Sequence, residues 1–108
     1  MTFINSTSST FNVSVHNTLG SAVSVPFGSF RRALLNVPTG ASSATVTFYA
    51  SGSESGTFQQ IYDSSGSAVS LAVVADRSYD LPAAVEAAEW LKIVTSTGTG
   101  TWTISAKS

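Results

Sequence analysis

The chain predicts an all-β fold, an antiparallel sandwich or barrel of about eight strands with at most one short helical turn. Three observations carry this. Apolar residues recur with period two over most of the chain. Clusters of Gly, Ser, Thr, Asn and Asp break these runs at short, regular intervals. The positions between the apolar residues are hydroxyl-rich: Ser and Thr supply 33 of the 108 residues. Such sequences suit a pleated, half-buried surface.

The elements follow in order. Residues 1–9 read as an N-terminal arm or an edge strand, with Phe3 and Ile4 as its apolar residues; 10–108 read as a single domain. Strands are predicted near 10–16, 21–27, 30–37, 44–50, 57–62, 67–74, 89–95 and 101–106. In the first, Phe11, Val13 and Val15 alternate with Asn12, Ser14 and His16. Val23, Val25 and Phe27 alternate in the second. Phe30, Ala33, Leu34, Leu35 and Val37 give the third little alternation, which suggests a strand covered on both faces. Val46 with Phe48, then Val69, Leu71 and Val73, then Trp102 with Ile104 mark three more half-buried strands. Between Asp80 and Glu89, Pro82 at a helix-starting position and an Ala-rich run predict one helical turn at 82–87, ahead of a strand through Leu91 and Ile93.

Composition excludes several functions. Charged residues are 10% of the chain, the net charge is −1, and mean hydropathy is +0.22. Five Lys and Arg give little basis for holding a phosphate backbone, so nucleic acid is not an expected partner. The apolar content is too high for disorder. There is no Cys, hence no disulfide, thiolate nucleophile or Cys-based zinc site. The first residues lack the basic and apolar regions of a signal peptide, and no apolar run has the length of a membrane span, so neither secretion nor a membrane is expected.

Catalytic patterns are sparse. His16, the only histidine, lies on the predicted outer face with no triad or metal-ligand spacing around it. Glu54 and Asp63 fall in neighbouring hairpins, but nothing marks a sugar cleft between them. Asp76 and Asp80 have the spacing to share a calcium ion; the competing reading makes Asp76-Arg77-Ser78 a turn, and turn chemistry favours it. No Ser stands in a nucleophile elbow, and no Gly-containing loop matches a phosphate-binding motif; Thr97 to Gly100 reads as a hairpin tip. The chain is therefore expected to be non-enzymatic and to need no cofactor or metal. Arg31 and Arg32 must point to opposite faces of a strand, one free to form a structural ion pair and the other to reach a partner. Trp102 is in phase with Ile104 and reads as core. Trp90 and Tyr49 oppose the apolar phases of their strands, which makes them contact candidates; the competing and favoured reading for each is packing under a loop.

Two stretches carry a resemblance. Thr45-Val46-Thr47-Phe48-Tyr49-Ala50, its Ser/Gly-rich turn and Phe58-Gln59-Gln60-Ile61 are similar to a pattern in discoidin-like and other jelly-roll sandwiches. Tyr79-Asp80-Leu81-Pro82-Ala83-Ala84-Val85, followed by Trp90-Leu91-Lys92-Ile93-Val94-Thr95-Ser96, resembles the later part of small β-sandwich proteins from tailed-bacteriophage virions. Phe30 to Gly40 fits the same style, so the resemblance spans residues 30–106. It implies a jelly-roll-like sandwich and a capsid decoration, or head cement, protein. Such a protein would be made in the host cytoplasm and carried on the capsid surface of the virion. The implied partners are the major capsid protein and further copies of the chain, as a dimer or trimer on the shell. Low charge limits repulsion among crowded copies, strand edges pair with neighbours, and a symmetric shell favours symmetric oligomers. The contact candidates are Phe3, Ile4, Arg31, Tyr49 and Trp90. The competing function is a carbohydrate-binding module or tail adhesin that stacks sugar on an exposed aromatic such as Trp90.

Overall fold

The computed structural model describes residues 8–17, 19–28, 32–96 and 100–107. Nine strands lie among them: β1 (Ser8–Val15), β2 (Val25–Pro26), β3 (Arg32–Val37), β4 (Ala44–Ser51), β5 (Gln59–Gln60), β6 (Ser70–Val73), β7 (Arg77–Asp80), β8 (Trp90–Thr95) and β9 (Gly100–Lys107). One sheet has the order β1-β9-β3-β7. The other has the order β2-β8-β4, with β5 and β6 both paired to the far side of β4. All pairings between these strands are antiparallel. Apart from β4 to β6, consecutive strands switch sheets, which gives a jelly-roll-like sandwich.

Period-two patterning determines which residues fill the space between the sheets. The first sheet contributes Val13, Ala33, Leu35, Val37, Trp102, Ile104 and Ala106. The second contributes Val25, Val46, Phe48, Val73, Leu91 and Ile93. Phe48 and Ile93 are cross-strand partners, both fully buried. Phe27, Val69, Leu81, Val85 and Ala88 complete the cluster from the connections. The 3₁₀ turn Ala83–Ala87 lies where the helical turn is predicted, and it buries Val85.

Four details depart from the sequence reading. β3 is not covered on both faces: Ala33, Leu35 and Val37 are buried while Leu34 stands 43% exposed on the outer face. The predicted strand 21–27 contracts to Val25–Pro26, preceded by a 3₁₀ turn at Leu19–Ser21. Of Asp76-Arg77-Ser78, read as a turn, Arg77 and Ser78 open strand β7, and the turn itself is confined to its start. There Asp76 adopts a left-handed φ of 67°. Its N–H donates to the Val37 carbonyl at 3.0 Å, and its carboxylate accepts from the Thr39 hydroxyl at 3.0 Å.

The fourth departure is that β5 and β6 behave as one interrupted strand. Moving along β4 from Tyr49 to Thr47 advances the partner from Gln60 to Ser70. Ile61 still donates to Phe48 at 2.8 Å, so residues 62–68 are looped out of the edge, and Val69, which donates to the Ile61 carbonyl at 3.0 Å, returns to the core. They form a small hairpin with a Tyr62–Ala68 bridge. Its tip is organised by Asp63, whose carboxylate accepts from the N–H groups of Ser65 and Ser67 and from the Ser65 hydroxyl at 2.9, 3.0 and 2.6 Å. Gly66 supplies the positive φ, 86°, that closes the turn.

The outer face of the first sheet is polar. Asn36 donates to the hydroxyls of Thr103 and Ser105, each at 2.9 Å, and accepts from the Ser78 hydroxyl at 2.7 Å. One amide thus links β9, β3 and β7 across three registers.

Candidate protein-contact face

The outer face of the second sheet gathers several aromatic side chains. Along β8 the inward positions are Leu91, Ile93 and Thr95, so Trp90, Lys92 and Val94 point out. Along β4 the buried Val46 and Phe48 leave Thr47, Tyr49 and Ser51 pointing out. The register then sets Tyr49 directly opposite Lys92, and Ser51 opposite Trp90. Trp90 and Tyr49 therefore occupy adjacent strands one face-step apart, within reach of one surface. On the far side of β4, Gln60 stands opposite Tyr49; on the far side of β8, Pro26 stands opposite Trp90.

Sequence reasoning did not single out Phe58. It precedes β5 by one residue, and the β4–β5 register carries it toward Ser51 on this same face. It is 9% exposed, and the Lys92 ammonium lies 4.6 Å from its ring centroid. The cation rests on the negative face of the ring, and its methylene stem covers apolar surface. Only strand pairing brings Phe58 and Lys92 together, so no local sequence signal marks the contact.

Trp90, Tyr49, Lys92 and Gln60 are all half-buried. Among the described residues, the Trp90 indole N–H, the Tyr49 hydroxyl and the Gln60 amide make no hydrogen bond within the chain. The face thus presents apolar area, unspent neutral donors and acceptors, and a single cation.

The other predicted residues fall elsewhere. Arg32 pairs with Asp80 at 3.3 Å on the first sheet, with Glu86 3.9 Å from its Nε. Asp80 thus accepts from Arg32, and Asp76 from Thr39. His16 forms a parallel bridge to Val94, and its carbonyl accepts from the Thr95 N–H at 2.9 Å. Glu54 is exposed in the 52–57 loop, whereas Asp63 is held in its own turn. No three His, Asp or Glu side chains cluster as metal ligands among the described residues. Phe3, Ile4, Arg31 and the predicted tip at 97–99 lie outside the described residues. No helix among the described residues is long and apolar enough to cross a membrane.

No protein-family model, curated protein or solved structure matches the chain.

Proposed function

We propose that this β-sandwich is a non-enzymatic structural protein of a tailed-bacteriophage virion, a capsid decoration protein that binds the major capsid protein lattice from outside and braces adjacent capsomers. The observation that carries the reading is the Trp90–Tyr49 face, an aromatic docking surface on a chain with so little charge. Buried aromatic anchors dominate the energy of protein interfaces, and a weakly charged surface lets many copies sit close together. The resemblance of residues 30–106 to virion sandwiches points the same way.

The test is to mix the protein with undecorated, expanded capsids. Near-stoichiometric binding and a raised disruption temperature are expected, with occupancy falling sharply in Trp90→Ala. Failure to bind any capsid lattice would falsify the proposal.

A second reading, a carbohydrate-binding module or tail adhesin, draws on the same geometry. Tyr49 and Trp90 offer π-faces beside the unspent Gln60 amide, a combination suited to stacking a sugar ring and hydrogen-bonding its hydroxyls. It predicts signal on a glycan array that disappears in Trp90→Ala, with no affinity for capsids.

A further inference from the structure

A sheet edge exposes unpaired N–H and C=O groups, and native edges are blunted by shortness, charge, proline or interruption. Three of the four edges described here are blunted. β2 has two residues and ends in Pro26. Phe27 donates to the Glu89 carbonyl at 2.8 Å, so alternation turns the hydrogen-free Pro26 nitrogen toward the outer side. β7 has four residues and carries Arg77 and Asp80. β5 and β6 are split by the hairpin at 62–68. The fourth edge, β1, runs eight residues as Ser-Ser-Thr-Phe-Asn-Val-Ser-Val, without charge, proline or interruption.

The hydrogen-bond phase identifies which groups β1 leaves open. Leu81 donates to the Ala33 carbonyl at 3.0 Å, so Ala33, Leu35 and Val37 direct their backbone groups toward β7. Leu34 and Asn36 then pair with Ser105 and Thr103 of β9, which leaves Trp102 and Ile104 to serve β1. Their partners Val13 and Phe11 are consumed in that ladder. Thr10, Asn12 and Ser14 consequently turn N–H and C=O away from the sheet. The next residue in this phase, His16, agrees: its carbonyl reaches out to Thr95 of the other sheet.

We propose that the free edge of β1 pairs antiparallel with β1 of a second copy of this chain across a two-fold axis. The inference is independent of what the dimer decorates or binds. A two-fold contact brings each residue near the axis close to its own copy, so a charge there would approach a like charge; β1 carries none. Pairing Thr10 of one copy with Asn12 of the other preserves side-chain phase: the exposed Thr10 and Asn12 stay outside and the buried Val13 stays in the core. The two four-stranded sheets become one continuous sheet.

The test is sedimentation equilibrium of the full chain over a dilution series, with circular dichroism on the same samples. The wild-type protein is expected at twice the 11.2 kDa chain mass. Asn12→Pro removes an N–H that faces away from β9, so it should keep the β spectrum and sediment at 11.2 kDa. If the proline disturbs the fold, Asn12→Lys decides, because it sets like charges across the axis and should also give the monomer. A monomeric wild-type protein overturns the proposal and leaves the edge to a foreign strand. A dimer that persists in either folded variant also overturns it.

Discussion

Tyr49 and Lys92 are direct cross-strand partners on the outer face of the second sheet, and the Lys92 ammonium leans past that pairing onto Phe58. The cation thus fastens the start of β5 to β8 across β4. Lys92→Met keeps the stem and removes the charge, and should cost about 0.5–1 kcal/mol in denaturant unfolding. The loss should disappear when Phe58 is first replaced by Leu. An equal loss in both backgrounds would mean that the ring contact contributes nothing.

On the outer face of the first sheet Asn36 satisfies three hydroxyl-bearing neighbours. Asn36→Ala strands half-buried polar groups, so thermal or chemical unfolding should show a loss of about 1–3 kcal/mol. Asn36→Asp should lose less, because the Thr103 and Ser105 hydroxyls rotate to donate. Wild-type stability in the alanine variant would remove the network from the list of stabilising contacts.

At Asp76 the backbone is left-handed, a region that Asp tolerates and β-branched residues do not. Both Asp76→Gly and Asp76→Val lose the Thr39 contact, so the difference between them reports on the backbone alone. The valine variant should be less stable by about 1–2 kcal/mol. Equal midpoints would show that the turn relaxes to another conformation.

The Asp63 carboxyl titrates below its ordinary value, first because the Ser65 hydroxyl donates to it and next because the Ser67 N–H does. A lowered folded pKa means that the contribution is complete above the ordinary Asp value of about 3.9 and fades as pH falls through the lower folded value. The hairpin tip should therefore loosen only in acid. An NMR titration should place the Asp63 midpoint below that of free Asp, with the Ser65 and Ser67 amide shifts following it. An ordinary midpoint, or the same acid-linked amide change persisting in Asp63→Asn, would contradict this.

A core substitution calibrates the rest. Phe48→Ala removes a fully buried ring opposite Ile93 and should cost about 3–5 kcal/mol. A loss under 1 kcal/mol would contradict the packing of the two sheets described above.

Patterning made the sandwich legible wherever one face meets the core and the other meets water. Leu91 with Ile93, Val46 with Phe48, and Trp102 with Ile104 reveal their strands and their inward sides directly. β7 was hidden because an edge strand needs few apolar residues: in Arg77-Ser78-Tyr79-Asp80 only Tyr79 is partly buried, and hydrogen bonds to β3 do the rest. Leu34 misled because an apolar residue on an outer face breaks the alternation without being buried. For the candidate face, alternation predicts that Trp90 and Tyr49 point outward. That they stand side by side, with Phe58 and Lys92 joining them, depends on register, which is a property of strand pairs.

The looped-out segment at 62–68 leaves the fold a place to accept foreign sequence. β4 holds Gln60 on one side of it and Ser70 on the other, so its two ends are anchored independently of its length. Extra residues between Tyr62 and Ala68 would enlarge only a loop, a cost that grows slowly with length, and would shift neither neighbouring ladder. This makes the sandwich a natural display scaffold, in which a grafted peptide would project from the rim of the second sheet while both faces keep their contacts.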